Sequence, residues 1–475
     1  VWVDRVELQT LPPTPKQLPT PKTTASSGAA TARAAVPGNK GAWVSGGRNR
    51  EWWQVDWGYR REFGGVRLAW DRSHRGLDYD ILASDDGRVY DTLRQVRNGA
   101  GGSVLVFTPE SEGRIVRILL RGQVGRGPFR LEDLDLVPSE SLATRNQYVE
   151  HIAGAAPRGR FPRSFLKEKT YWTVVGVPDD RSEALMNEDG MFEVDKQAFS
   201  LEPFVWLDRG KELLTWAEGR EEQSLENGYM PIPTVRRVHA TMIVGVTLLA
   251  AGEAGASTLV ARYVVKNTSQ NEERGSFALA IRPYQTNPPY QLLNFDGGAS
   301  TISTIRFSAG SAEVDGRRVS VSGTPSMGAS TIDGGEVVHH LAAGSLPRDQ
   351  EVSDPARFAS GAFRYAFSLA PGDSMIVVAA VPQGPSSPLA DHQPTNQDFE
   401  DLLLRGRSTW YRRLGTLKWD IPPSARHLFN VVRSTLAYIL INKDGPGIQP
   451  GSRSYERSWI RDGSMTSAAL LKFGM

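Results

Sequence analysis

Near the end of the chain an indole, a guanidinium group and a carboxylate stand close together in sequence. Trp459, Arg461 and Asp462 come directly before Gly463 and follow a loop that is rich in Gly and Pro. A guanidinium group offers a fixed fork of donors and a carboxylate offers acceptors, so the two together suit a pair of sugar hydroxyls. The flat face of a Trp packs against the apolar C–H side of a pyranose. We therefore predict a sugar-binding site here, with Tyr455 and Arg457 as further contributors.

The same residues also have a purely structural interpretation. Asp462 would cap the helix that begins here, and Arg461 would pair with it locally. Glu456 is the other carboxylate of this loop, and a solvated side chain is a better interpretation of it than a general acid. Because glycoside hydrolysis needs two carboxylates flanking the bond, the loop alone assigns no catalytic residue.

A second set of candidate residues lies in the first third of the chain. Asp71, Arg72, His74 and Arg75 form a polar loop between two predicted strands, and Arg48 lies in another loop of the same kind. Ligand-binding residues are found disproportionately on loops that a rigid scaffold positions. We predict glycan contacts at these residues, and solvated turns are the alternative.

Composition excludes several other classes of function. The chain has no Cys, so it contains no disulfide, no thiol nucleophile and no Cys-based zinc site. A net charge of +2 is too balanced for a dedicated nucleic-acid binder. No apolar run reaches the ~20 residues that span a bilayer, and the longest one, 242–251, is interpreted as a buried strand. His339 and His340 fall in a strand-like stretch, where neighbours point to opposite faces and do not share a metal. We predict no cofactor.

Patterns along the chain predict five segments in a mainly β protein. A partial strand and a Pro-rich linker (1–23) precede a β domain with short alternating strands (24–138). A polar connector (139–170) leads to a second, larger β-sandwich (171–390), and apolar residues at helical spacing then indicate helices (391–475). Ser424 is the predicted N-cap of one of these helices.

The motifs of the first β domain, in their order, resemble a known family. They are Trp52-Trp53-Gln54-Val55-Asp56, Val66-Arg67-Leu68-Ala69-Trp70, Tyr79-Asp80-Ile81 and Arg114-Ile115-Val116-Arg117-Ile118. This order is similar to the discoidin, or coagulation-factor type C, domain, a galactose-binding-like jelly roll shared with many carbohydrate-binding modules. The resemblance implies that Trp53, Val55, Trp70 and Tyr79 are core residues. It also implies ligand loops at one end and the option of a structural calcium ion.

The order of β-sandwich, helices and Trp-x-Arg-Asp-Gly resembles the front of glucoamylase-like, six-hairpin glycoside hydrolases and related disaccharide phosphorylases. The resemblance implies that 391–475 begin an (α/α)₆ barrel that this sequence does not complete. Arg461 and Asp462 would then bind hydroxyls of the non-reducing end, and Trp459 would form part of the pocket wall. The general acid and base would lie beyond Met475.

Two functional hypotheses remain open from the sequence. One is a glycoside hydrolase, extracellular or periplasmic, whose discoidin-like module tethers it to poly- or oligosaccharides. The other is a non-catalytic glycan-binding or adhesion protein. The sequence leaves open the sugar, the linkage, water or phosphate as acceptor, and the oligomeric state.

Overall fold

The computed structural model describes residues 14–47, 50–71, 73–123, 127–415 and 420–475. The fold is mainly β, with several antiparallel sheets. The chain divides into two compact units. The first contains Val1–Ile152 with Asp333–Gly335, and the second contains Ala153–Ile332 and Glu336–Met475.

The first unit is a seven-stranded antiparallel assembly with the strand order β2-β7-β3-β6-β4-β5, in which β1 pairs with β3. Its strands are β1 (Lys22–Ala25), β2 (Trp43–Val44), β3 (Trp52–Trp70), β4 (Gly76–Ser84), β5 (Asp91–Val96), β6 (Ser103–Gln123) and β7 (Arg130–Pro138). Alternate residues of β3 point inward, as the period of two in a strand requires. Trp53, Val55, Trp70 and Tyr79 are all buried, which confirms their prediction as core.

The second unit contains two large sheets and a small hairpin. Its strands are β8 (Trp172–Val175), β9 (Ala184–Asn187), β10 (Phe192–Glu193), β11 (Ser200–Leu207), β12 (Glu212–Leu214), β13 (Arg220–Glu226), β14 (Met230–Val238), β15 (Met242–Glu253), β16 (Ala256–Asn267), β17 (Glu273–Arg282), β18 (Thr304–Ser308), β19 (Ser311–Val314), β20 (Arg317–Val321), β21 (Ser326–Ser330), β22 (Glu351–Ser353), β23 (Ser360–Leu369), β24 (Ser374–Pro382), β25 (Lys443–Asp444) and β26 (Gly447–Ile448). One sheet has the order β21-β23-β17-β11-β10-β9-β8, with β12 beside β11. The other has the order β13-β14-β15-β16-β24-β20-β19-β18-β22.

The two sheets pack face to face around one core. Val205 and Phe277 enter that core from the first sheet, and Val246 and Tyr263 enter it from the second. The remaining face of β15 carries Leu249, which belongs to a different core shared with the helices. Strand β15 is therefore buried on both faces, which explains why its sequence is almost continuously apolar.

The helices are α1 (Arg145–Ala155), α2 (Val337–Leu341), α3 (Asn396–Leu414), α4 (Arg426–Ile441) and α5 (Ile460–Lys472). Short 3₁₀ segments are Ala29–Ala35, Ser139–Ser141, Arg163–Leu166 and Pro423–Ala425. Helix α3 begins with a capping box, in which Thr395 and Asp398 satisfy each other's backbone N–H groups. Phe399 and Leu403 of α3 pack with Leu249 of the sheet. The second unit is thus a sandwich with a helical layer on one outer face.

Two local predictions were wrong. His339 and His340 lie in helix α2, because the Glu336 side chain caps it by accepting from the Val338 N–H group. A five-residue helix is too short for its apolar period to be told from a strand. Ser424 is not the N-cap of α4, since a 3₁₀ turn occupies Pro423–Ala425 and the helix begins at Arg426.

The predicted domain boundaries stay predictions. The division after Ile152 falls within the predicted connector, and the second unit contains both the predicted sandwich and the predicted helical segment. The start of an (α/α)₆ barrel is likewise a prediction. None of the helices in the described part of the chain combines the length and the apolar character needed to cross a membrane.

Candidate functional site

Several loops of the first unit meet at one end of its sheet, because the strands that they connect end in register. Gly76, at the start of β4, pairs with Gln123, at the end of β6. Strand β3 ends at Trp70, which pairs with Leu131 near the start of β7. We call the residues gathered there the loop end: 45–47, 71, 73–75, 97–102 and 127–130.

Backbone hydrogen bonds join these loops to one another. Asp71 N donates to Arg130 O at 3.1 Å, and Arg130 N donates to His74 O at 2.9 Å. Trp70 N donates to Gly102 O at 2.9 Å. The loop end is therefore a cross-braced surface and does not consist of independent turns.

Asp71 organises the loop that the sequence singled out. Its Oδ1 accepts from the backbone N–H groups of Ser73 and His74, each at 2.9 Å, and lies 3.0 Å from His74 Nδ1. The hydrogen bond from His74, followed by that from Ser73, lowers the pKa of Asp71. In the tautomer whose Nδ1 donates to Asp71, Nε2 of His74 is an acceptor. The His74 side chain is 34% exposed, so this ring is accessible to a ligand.

Arg75 is positioned by the neighbouring loop. Gly101 has a φ of +73°, and a Cβ added to it would lie only 1.9 Å from Arg75 Cδ. Gly102 has a similar φ of +72°, but a Cβ there would meet nothing within 4 Å. Gly101 is therefore required both by its backbone angle and by the close approach of the Arg75 stem.

Sequence reasoning missed a buried carboxylate behind these loops. Asp80 is 1% exposed and pairs with Arg97 at 2.8 Å and with Arg121 at 2.5 Å. Both guanidinium groups reach solvent. The signal in the sequence was a single carboxylate within the apolar strand Tyr79–Leu82.

Arg48 and Arg72, which were also predicted as glycan contacts, lie outside the described residues.

The second set of predicted residues lies at the start of α5. Trp459 occupies the N-cap position, and Arg457 Cζ lies 5.6 Å from the centre of its ring. Arg461 Nη2 is 3.8 Å from Asp462 Oδ2, and the Arg461 side chain is 83% exposed. Tyr455 is also exposed. The Arg461–Asp462 pair is thus a loose ion pair in contact with water.

A cavity of about 240 Å³ opens beside Trp459. Ile448, Ser458 and Ser464 also line it, whereas Arg461 and Asp462 do not. The structure therefore brings Trp459 to a cavity and places the Arg461–Asp462 pair outside its lining.

A cluster of buried charges anchors the terminal loop, residues 450–459, to strands of the sandwich. We call Glu183, Glu193, Lys196, Arg453 and Glu456 the charge cluster. Arg453 is 1% exposed, and its Nε donates to Glu193 Oε1 at 2.6 Å. Its Nη2 donates to the carbonyl oxygen of Glu183 at 2.8 Å, and its Nη1 is 3.7 Å from the Glu183 carboxylate.

Glu456 is also part of this cluster, and its prediction as a solvated side chain was wrong. Its Oε1 accepts from Lys196 Nζ at 2.6 Å, and only 14% of the side chain is exposed. Lys196 lies 260 residues earlier in the chain, so no local pattern could have revealed the pair.

Burial dominates the electrostatics of the charge cluster. It raises the pKa of Glu183 to about 7, although the charges of Lys196 and Arg453 lower it. Burial also raises the pKa of Glu193, against the opposing charge of Arg453. With all five groups ionised the cluster has three negative and two positive charges, so a proton on Glu183 makes it neutral.

Neither site gathers the ligands of a metal ion. Within the described ranges, no group of three or more His, Asp or Glu side chains is placed to hold one. The structural calcium ion that the discoidin resemblance allows stays an expectation.

Comparison with known families identifies the first unit. Residues 20–132 match the family model of the F5/8 type C domain. No relative among the curated proteins matches the chain.

Solved structures that are similar to the chain cover about a quarter of it. Chitosan-binding module 1 of a chitosanase/glucanase from Paenibacillus sp. IK-5 is 24% identical, with 24% of this chain and 91% of that chain covered and a TM-score of 0.23. The family 32 CBM of Clostridium perfringens NanJ, in complex with galactose, is 16% identical, with 24% and 92% covered and a TM-score of 0.23. A further C. perfringens module, solved with GalNAc-β-1,3-galactose, is 15% identical, with 25% and 94% covered and a TM-score of 0.23. Residues 20–132 of this chain form an F5/8 type C, or discoidin, domain.

Proposed function

We propose that the chain binds carbohydrate through the loop end of its F5/8 type C domain. The observation that carries the proposal is the cross-braced arrangement of Asp71, His74 and Arg75, which presents an accessible imidazole and a guanidinium group on a rigid β scaffold. Hydroxyl groups of a sugar are both donors and acceptors, so they suit an acceptor nitrogen beside a cationic donor. The partner is a poly- or oligosaccharide.

A His74→Ala variant tests this proposal in the full 475-residue chain. A glycan array that includes chitotriose and galactose identifies a ligand, and calorimetry then measures its affinity. We expect the variant to weaken binding about tenfold, as the loss of one hydrogen bond does.

His151→Ala is the matched control. His151 belongs to the same unit, and its Nε2 lies 3.0 Å from Ser141 O, beyond the opposite end of β7. The affinity of the His151→Ala variant for the same glycan should equal that of the wild type. Equal affinities of the two variants, or no glycan bound by the wild-type chain, would refute the proposal.

As a finer proposal, the second unit forms part of a glycoside hydrolase, extracellular or periplasmic. Two observations support it: Trp459 borders an open cavity, and the charge cluster holds the adjoining loop rigidly. Trp459, Arg461 and Asp462, with Tyr455 and Arg457, would bind the sugar at the non-reducing end. We assign no catalytic carboxylate to this chain.

Activity on oligosaccharides, with water or with inorganic phosphate as the acceptor, tests the finer proposal in a longer protein that contains this chain. There Asp462→Ala should lower kcat/KM by about 1.5–3 kcal/mol, the range for a lost charged hydrogen bond. An unchanged rate in a folded variant removes Asp462 from the site. A protein that binds glycans but turns over none is the non-catalytic alternative.

A further inference from the structure

A second polar cavity lies in the second unit, between helix α3 and the turn that joins β15 to β16. Its volume is about 660 Å³, within the range of small-ligand sites. Arg405, Arg412 and Arg413 line it from the helix, and Glu253 lines it from the turn. We call this cavity the arginine groove. Neither the F5/8 type C domain nor the terminal loop contributes to its lining.

The helix period explains why these arginines face the same space. Arg405 and Arg412 are seven residues apart, so they lie on nearly the same side of α3, with Thr409 between them. Arg413 follows at the edge of this face. The face is continuous with the apolar one that packs on the sheet, because Leu402 and Trp410 also line the groove.

The side chains that the structure describes do not neutralise the charge in the groove. Among the described residues, none of the three guanidinium groups takes part in an ion pair, and all three side chains are exposed. Asp179, which also lines the groove, is paired with Lys443. Glu253 has no such partner in the part of the chain that the structure describes, so three positive charges face one negative charge.

Most of the other lining residues are apolar. Ala250 and Ala251 line the groove from the sheet, and Trp410, which also lines it, is 4% exposed. A sugar ring has apolar C–H faces and a polar rim, which matches an apolar floor bordered by guanidinium groups. Carboxylate and sulfate groups form the bidentate, charge-assisted hydrogen bonds that arginine provides best.

We infer that the arginine groove binds an acidic oligosaccharide, one that carries carboxylate or sulfate groups. The ligand would lie along α3 with its anionic groups at Arg405, Arg412 and Arg413. This site is separate from the loop end, so it adds a second recognition element with a different chemical preference.

The test is calorimetric titration of the full chain with an oligogalacturonide and with a sulfated dextran fragment. Removing the groove charges in the triple variant Arg405→Gln, Arg412→Gln and Arg413→Gln should weaken binding of one or both by about a hundredfold or more, since each guanidinium contributes a charge-assisted hydrogen bond. Binding by the wild-type chain should also weaken as salt is raised.

The triple variant Arg209→Gln, Arg348→Gln and Arg426→Gln is the matched control. These three residues are exposed, belong to the same unit and lie outside the groove, so the net charge changes equally. We expect the control to bind like the wild type. Equal losses in both variants would show a general effect of charge and overturn the inference.

Three further probes complete the test. Uncharged dextran and inorganic sulfate should not bind measurably, and a wild-type chain that binds free sulfate as tightly as the oligosaccharide has an adventitious anion site only. Competition by a short oligonucleotide at equal affinity would mean a surface for any polyanion and would also overturn the inference.

The His74→Ala variant should bind the acidic ligands with the affinity of the wild type. Failure of the loop-end proposal and failure of this inference therefore give different results.

Discussion

The two loops that carry candidate sugar-binding residues are held in place by different forces. The loop end of the first unit is braced by backbone hydrogen bonds, such as Asp71 N to Arg130 O, and its charged side chains reach water. The terminal loop of the second unit is held by buried charges, with Arg453 bonded to Glu193. Backbone bonds survive a change of side chain, whereas a buried charge is costly once its partner is removed. The first loop should therefore tolerate single substitutions that the second does not.

The largest expected effect comes from removing the buried guanidinium group. Arg453→Met leaves Glu193 without its cation and removes one of the two cations beside Glu183, which should lower the free energy of unfolding of the second unit by about 3–5 kcal/mol. Urea denaturation measures this, and amide hydrogen exchange in β10 reports the second unit by itself.

The matched control for Arg453→Met is Arg461→Met in the first turn of α5, directly after the terminal loop. Because Arg461 is exposed, its loss should change the free energy of unfolding by about 0.5 kcal/mol or less. Adding Glu193→Gln to Arg453→Met should recover part of the loss, since it removes a buried charge. If Arg453→Met is as stable as Arg461→Met, the contrast between the two loops fails.

The pH dependence of stability sharpens the same contrast. Because burial raises the pKa of Glu183 from its ordinary 4.5 to about 7, the folded chain keeps a proton that the unfolded chain releases. This group therefore favours folding fully below about pH 4.5 and loses that contribution as the pH rises to about 7, a change on the order of 3 kcal/mol.

Glu183→Gln isolates this contribution from the other titrating groups. The Gln side chain has nearly the volume of Glu and cannot ionise. The melting temperature of the variant minus that of the wild type should therefore increase between pH 5 and pH 8. The comparison with the wild type is needed because His239 titrates as well. Burial lowers the pKa of His239 to about 4, so its contribution to stability rises with pH, opposite to that of Glu183. A constant difference between variant and wild type over that range would contradict the assignment to Glu183.

In the first unit, two neighbouring glycines allow the position of Arg75 to be tested separately from backbone strain. Gly101→Ala and Gly102→Ala both place a side chain at positive φ, so each should cost about 1–2 kcal/mol. Only Gly101→Ala also collides with Arg75. Its affinity for the array-identified glycan should fall about tenfold below that of Gly102→Ala, the loss of one charged hydrogen bond. Equal affinities would remove Arg75 from the glycan site.

The smallest effect is expected at the exposed ion pair. Asp462→Ala should change the free energy of unfolding by about 0.5 kcal/mol or less, because the pair with Arg461 is loose and solvated. Urea denaturation of the variant and of the wild type measures this change in the free energy of unfolding. A loss of several kcal/mol would mean that Asp462 has a structural role like that of Arg453.

The sequence alone was sufficient where the interactions are local and periodic. The discoidin resemblance predicted the buried positions Trp53 and Val55 of β3, and the apolar run from 242 predicted β15. Ordered motifs predicted the discoidin domain that the family model confirms. These signals are repeated over many residues, so a single exception does not erase them.

Prediction failed where one distant partner or one short element decides the result. Glu456 is buried because it pairs with Lys196, 260 residues away, and no residue near Glu456 in sequence indicates this pairing. His339 and His340 lie in a helix of five residues, which is fixed by the capping side chain of Glu336. The sugar-binding role of Arg461 and Asp462 stays a prediction, and the pair lies outside the lining of the cavity beside Trp459.

By itself the sequence determined the mainly β class of the fold and the helical pattern of its last segment, because burial imposes periods of two and 3.6 on apolar residues. Only the tertiary structure decided which charges are buried and which face water, because that depends on segments far apart in the chain that fold against each other. For this reason Arg453 and Arg461, eight residues apart and chemically identical, have opposite environments.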